Sequence, residues 1–260
     1  MEETPSPERL DLSIQTPAGP IAATVELPDG FIPVSRIVPL LRQLGEQAQA
    51  LEQQRTTAAG AAISCAKGCA ACCRMLIPVS PPEAFALQDM VAALPDERRQ
   101  ALERRIADVH SKLEQAGLLA GLMNLAETPR PVTDEEAEPL NRAYYALKLP
   151  CPFLENEACS IYEDRPAACR ELLVTSPADW CQDMVNKPVC ALPVPLRMGT
   201  ILGLLWADLT GSPPRLIPLP LAPDWAGRHA ADNRPAWTAR ALLEKALDQV
   251  WKFLSQPPRR

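Results

Sequence analysis

The chain has 260 residues, 47% of them hydrophobic and 22% charged, with a formal net charge of −6. That is enough apolar material for a packed core, and the acidic balance excludes a general nucleic-acid binder. No run of 18 or more apolar residues occurs, so no membrane-spanning helix is expected. Met1-Glu-Glu-Thr-Pro lacks the basic and apolar regions of a signal peptide, which points to the cytoplasm. In a reducing compartment nine cysteines indicate metal or redox work, and an odd count suits a disulfide framework poorly. The 29 prolines, about twice the usual share, predict short helices and fixed loops.

Residues 1–10 read as a tail. Leu10–Thr16 and Ile21–Leu27 alternate weakly around Pro17-Ala-Gly-Pro20, the pattern of a β-hairpin. Ile37, Leu41, Leu44, Ala48 and Leu51 recur at helical spacing and predict a long amphipathic helix to about Thr57, with Pro39 in its first turn. Ala58–Ser64 is a connector of small residues. In the next stretch Gly68 and Pro78 bracket a helix starting near Cys69. Pro81-Pro82 opens a helix with Phe85, Leu87, Met90, Val91 and Leu94 inward. Pro95-Asp-Glu opens another, with Leu102, Ile106, Val109 and Leu113 inward. Thr133-x-x-Glu136 is a capping box, and its helix runs to about Lys148, where Pro150 ends it. Residues 151–170 read as turns and short helix, with Asp164 as N-cap and Pro166 in the first turn of a helix carrying Cys169. Ser176-Pro177 starts a short helix with Trp180 and Cys181. Residues 195–209 read as a buried helix and 212–224 as a proline-rich loop. Arg234-Pro235 opens a last helix to about Ser255, with Leu242, Leu243, Ala246, Val250 and Phe253 inward. No strand–helix alternation appears, so a parallel sheet is not expected.

Cys65, Cys69, Cys72 and Cys73 fall within nine residues, spaced C-x3-C-x2-C-C. On a helix they would share one stripe about 100° wide. Cys151, Cys159 and Cys169 follow far along the chain as C-x7-C-x9-C. Seven soft thiols exceed what one tetrahedral zinc takes, whereas an iron–sulfur cluster accepts thiolates from distant segments. Adjacent residues point about 100° apart, so Cys72 and Cys73 do not both suit one small ion. One of them ligates while the other lies outside the ligand shell, serves a second metal, or does redox work. Lys67, Arg74, Arg165 and Arg170 are near enough in sequence to offset thiolate charge. Phe153, Leu154, Ile161 and Tyr162 are candidates to exclude solvent. Tyr162, Arg165 and Arg170 are the candidate cofactor-binding residues of the second segment. His110 and His229 have no ligand spacing to the cysteines. The acidic run from Asp134 suits a helix N-terminus. Trp225, Trp237 and Trp251 are expected to anchor the closing helices.

C-x3-C-x2-C-C followed by Cys151-Pro-Phe-Leu, Cys159-Ser-Ile-Tyr, Arg165-Pro and Cys169-Arg170 resembles the YkgJ-type cysteine-cluster family of zinc- or iron-chelating proteins, over roughly residues 63–175. That family looks related to flagellin lysine N-methylases, whose comparable cysteines hold an iron–sulfur cluster. The resemblance thus implies an iron–sulfur site and methyl transfer from S-adenosylmethionine. Cys65-x3-Cys69-x2-Cys72 also has the radical S-adenosylmethionine spacing, without that family's strand–helix repeats and with Ala71 where it usually has an aromatic residue.

The expectation is therefore a mainly α, compact multi-helix domain with a small N-terminal β-hairpin. Residues 1–33 form tail and hairpin, 63–175 the cysteine-cluster core and 195–255 the closing helices of a single domain. Cys65, Cys69, Cys72, Cys73, Cys151, Cys159 and Cys169 are the expected metal ligands. An iron–sulfur cluster, of 4Fe-4S type, is the first choice and zinc the alternative. A cluster-assisted methyltransferase is the enzymatic alternative. The expected partner is the metal ion or cluster, with no nucleic acid and no membrane.

Overall fold

In the computed structural model, which describes residues 8–256, the N-terminal alternation becomes a regular antiparallel hairpin, β1 (Glu8–Thr16) and β2 (Gly19–Leu27). Glu8–Leu10, read above as tail, already pair with Val25–Leu27; residues 1–7 of that tail lie outside the described residues. Ile14, Ile21, Ala23 and Leu27 form its buried face, which lies against α1 (Val38–Ala58). Thr16 Oγ1 bonds to Gly19 O at 2.7 Å and closes the turn.

The expected helices follow, mostly with shifted ends. They are α2 (Pro81–Ala92), α3 (Asp96–Gln115), α5 (Asp134–Leu147), α6 (Ala167–Glu171), α7 (Met198–Thr210) and α9 (Ala239–Leu254). Two more were not expected. Leu119–Glu127 forms α4, and the stretch 212–224 read as a loop holds a strand at Ile217–Pro218, a 3-10 turn at Leu219–Leu221 and the first turn of α8 (Ala222–Arg228). Proline density hid α8: Pro223 sits in its first turn, where a missing N–H costs nothing. Helix α9 starts at Ala239 rather than at Arg234-Pro235, because Thr238 takes the N-cap and accepts Ala241 N. Helix α5 ends at a left-handed Lys148 (φ 50°), before Pro150 can act. The capping box of Thr133 and Glu136 is present as read.

Helix α2 is central. It packs against α7, α8 and α1. Its Phe85 ring lies 5.6 Å from Trp206 and 5.5 Å from Trp225, so these aromatics bury large apolar areas together. Trp225 is buried as expected, but Trp251 is half exposed on the outer face of α9. Helices α1 and α7 pack tightly at Gly45, where a Cβ would fall 2.7 Å from Met198 Cγ. The main apolar core runs from the hairpin through α1, α2 and α7 to α9. A smaller one joins Val109, Leu113, Leu122, Tyr144 and Leu221. None of the helices described is long and apolar enough to cross a membrane.

Candidate metal centre

The first cysteine segment is not the helix expected from Cys69 to Pro78. Only Ala71–Arg74 coil, as a 3-10 turn, so no single helical stripe carries four thiols. Gly68 adopts a left-handed φ of 93°, and Cys69 N bonds to Ala66 O at 3.0 Å, turning the chain sharply between Cys65 and Cys69. Ser64 N donates to Val174 O (2.9 Å) and Val174 N to Cys65 Sγ (3.4 Å), which seats Cys65 beside the segment that follows Cys169. Within the turn, three residues per revolution separate the Cys72 and Cys73 side chains by about 120°.

The second segment is tied directly to the first by Cys151 N donating to Cys73 O at 2.8 Å. A tight hairpin then pairs Leu154 with Cys159 through Asn156 and Glu157, both left-handed. Phe153 O, at the hairpin's base, accepts Ser160 N and Oγ. Tyr162–Asp164 form a 3-10 turn, so Asp164 does not cap the next helix; Pro166 does, ahead of α6 and Cys169. Glu83 fixes the start of α6. This carboxylate is buried in α2, accepts Ala167 N at 2.7 Å through Oε1, and accepts Ser80 N and Oγ through Oε2. At the other end of α6, Glu171 accepts Met198 N at 2.7 Å and so holds the start of α7. Neither carboxylate was singled out from sequence, although Ser80-x-x-Glu83 is a readable capping box.

A third segment also arrives. The 3-10 turn Ala178–Gln182 buries Cys181, packs against Ala71–Arg74, and shares a small apolar cluster with Ala71, Val174 and Cys65. Tyr145 Oη donates to Cys181 O at 3.1 Å and anchors that turn to α5. Cys190 is exposed, on a ladder with Thr175 and Ser176.

Burial dominates the thiol acidities. It pushes Cys151 up to about 12 and Cys169 well above the ordinary range, with the thiols of Cys151, Cys72 and Cys159 adding repulsion at Cys169. Cys65, Cys159 and Cys181 are raised for the same first reason, and Cys181 is further repelled by Cys65, Cys72 and Cys69. Cys72 moves down, because Cys73 hydrogen-bonds to its sulfur; Cys73 keeps its proton and moves up. The Arg165 guanidinium favours ionised Cys72, Cys159 and Cys169.

Arg165 Cζ stacks 3.8 Å from the Tyr162 ring centroid, and Lys67 Nζ lies 5.2 Å from that centroid. Arg170 stands beside Arg165 and Tyr162 and also knits backbone. It donates to Arg165 O, Tyr162 O and Glu163 O, and pairs with Glu46. A cavity of about 270 Å³ opens beside these groups; Cys65, Cys69, Cys72, Cys169, Tyr162 and Arg165 are among its lining residues.

The fold therefore brings Cys72, Cys73, Cys151, Cys159 and Cys169 into one electrostatic neighbourhood and sets Cys65 and Cys69 on its border. Among the described residues no three Cys, His, Asp or Glu side chains converge closely enough to hold an ion as they stand. The donors nonetheless suit a thiophilic metal in kind, being sulfurs carried on short turns that can rotate. His110 is not among them, since its Nε2 contacts Pro220 O, and His229 contacts Glu127 and Asp232.

Compared with known proteins, residues 64–191 match the family model CxxCxxCC, described as "Putative zinc- or iron-chelating domain". No curated protein and no solved structure matches the chain. About half of the chain, the half that holds every one of its cysteines, is therefore a domain of the CxxCxxCC zinc- or iron-chelating family.

Proposed function

We propose that this domain holds iron as an iron–sulfur cluster of the 4Fe-4S kind, through cysteines of the segments 65–73 and 151–169. The observation that carries the reading is the Cys151 N to Cys73 O hydrogen bond, which joins two cysteine segments far apart in sequence. Buried, solvent-poor sulfurs with a nearby guanidinium supply the surroundings that tune a cluster's potential. Such a cluster supplies electron transfer or an open iron for ligand chemistry. Protein purified anaerobically should be brown, with broad absorbance near roughly 400 nm and about four irons per cluster. A colourless protein with stoichiometric zinc would refute iron and leave zinc, which all-thiol sets of four also hold. Cys69→Ala should lose metal while keeping its fold, since Cys69 is exposed.

The cavity favours a second, enzymatic reading. Its walls combine thiols with Tyr162 and Arg165, so a small molecule seated there would meet the metal centre. Methyl transfer from S-adenosylmethionine is the reaction this reading names. Metal-loaded protein should then bind S-adenosylmethionine in a calorimetric titration; absence of heat would leave the non-enzymatic reading.

A further inference from the structure

We infer that the cysteines form two separate four-thiol metal sites, one from Cys65, Cys69, Cys72 and Cys181 and the other from Cys73, Cys151, Cys159 and Cys169. The inference deepens the metal-binding reading above and rests on it. It adds Cys181 as a ligand and gives each member of the vicinal pair a different task.

Three observations carry it. First, although the thiols of Cys72 and Cys73 bond to each other, Cys72 is the one that acts on Cys65 and Cys181, while the other thiols acting on Cys73 are those of Cys151 and Cys169. Second, five of the other cysteines pack on two different apolar clusters, and Cys69 is exposed. Cys65 and Cys181 belong to the small cluster with Ala71 and Val174, whereas Cys151, Cys159 and Cys169 pack against the main core. Third, the backbone ties follow the same division. Cys65 Sγ accepts Val174 N, next to the turn that carries Cys181, while Cys73 O accepts Cys151 N. Cys190, exposed on its ladder, belongs to neither set. Eight thiols divided in this way satisfy two centres of four, the number that a structural zinc or a cubane cluster requires. The cavity lies between them, bordered by Cys65, Cys69 and Cys72 of one set and Cys169 of the other.

The test is to titrate the reduced, metal-free full chain with Co²⁺, reading the thiolate-to-cobalt charge-transfer band. Wild type and Cys190→Ser should take two ions per chain. Cys69→Ser, Cys181→Ser and Cys159→Ser should each take one. The double variant Cys69→Ser/Cys181→Ser should still take one, because both changes fall in the same site, whereas Cys69→Ser/Cys159→Ser should take none. Since Cys69 is exposed, its variant tests the first site even if Cys181→Ser fails to fold, which circular dichroism reports. One ion in wild type, or none in Cys69→Ser/Cys181→Ser, would overturn the division while leaving metal binding intact. No charge-transfer band in wild type would overturn metal binding itself.

Discussion

Glu83 is the carboxylate on which the placement of Cys169 depends, and replacing it by alanine should be among the most damaging single changes to this protein. It is 3% exposed and accepts bonds from Ala167 N (2.7 Å), Ser80 N (3.0 Å) and Ser80 Oγ (2.8 Å). Glu83→Ala leaves two backbone donors without partners, each costing about 1–3 kcal/mol when buried. Loss of the capping box adds about 1 kcal/mol. The sum is about 3–7 kcal/mol, a large part of the roughly 5–15 kcal/mol that holds a domain folded. Glu83→Gln should cost less, about 1–3 kcal/mol, because its one carbonyl oxygen still serves one side and its amide N–H₂ faces a donor on the other. Urea denaturation of metal-free, reduced protein measures both. The metal content of Glu83→Gln should also fall, since α6 carries Cys169. If Glu83→Ala lost less than about 1 kcal/mol, the claim that α6 is pinned through this carboxylate would be wrong.

Three further outcomes are expected. Gly45→Ala should destabilise by about 1–3 kcal/mol through overpacking on Met198, and a double-mutant cycle with Met198→Ala should recover part of it; additive effects would place the strain elsewhere. Burial holds the Glu171 carboxyl up to about 7, so the fold binds a proton there that the unfolded chain releases near 4.3. Its contribution to stability is thus fully present below that unfolded value and is lost as pH rises toward 7, by about 3–4 kcal/mol, and Glu171→Gln should flatten this limb of the pH–stability curve of metal-free protein. Glu157→Gly should stabilise the hairpin that carries Cys159 by up to about 1 kcal/mol, relieving a left-handed residue, with the exposed Arg74 pair as the small offset; an unchanged melting temperature would show that the two cancel.

The outline of the fold was legible because most of its helices carry period-3.6 apolar stripes and clear proline or capping-box starts. Val109 and Leu113 were read as buried, and they are. Helix α8 was not legible. Prolines that punctuate a loop and prolines that open helices look alike until tertiary packing decides, and here Trp225 packing against Phe85 decides it. The helix expected from Cys69 failed for a related reason. Cysteine, alanine and glycine supply little propensity of their own, and the segment is shaped by its bonds to Val174 and Cys151, partners 78 or more residues away in sequence. Cys181 escaped because its relation to Cys65 runs through one apolar cluster that spacing alone cannot encode.

These long-range ties bear on when the site forms. The turns carry their thiols close to one another, and burial favours the protonated form of most of them. Binding a metal through these thiols would release protons. Affinity should therefore fall as pH is lowered, most steeply for thiols that burial has raised, such as Cys151 and Cys169. Cys72 and the exposed Cys69 should be the points of first capture, the former because its neighbour's hydrogen bond already favours its thiolate. A stopped-flow experiment with Co²⁺ should show a first, fast thiolate signal that Cys72→Ser removes. Cys169→Ser should spare the fast phase and remove only later signal. Loss of the fast phase in both variants would mean that the buried thiols bind first, and the order of events argued from burial would be wrong.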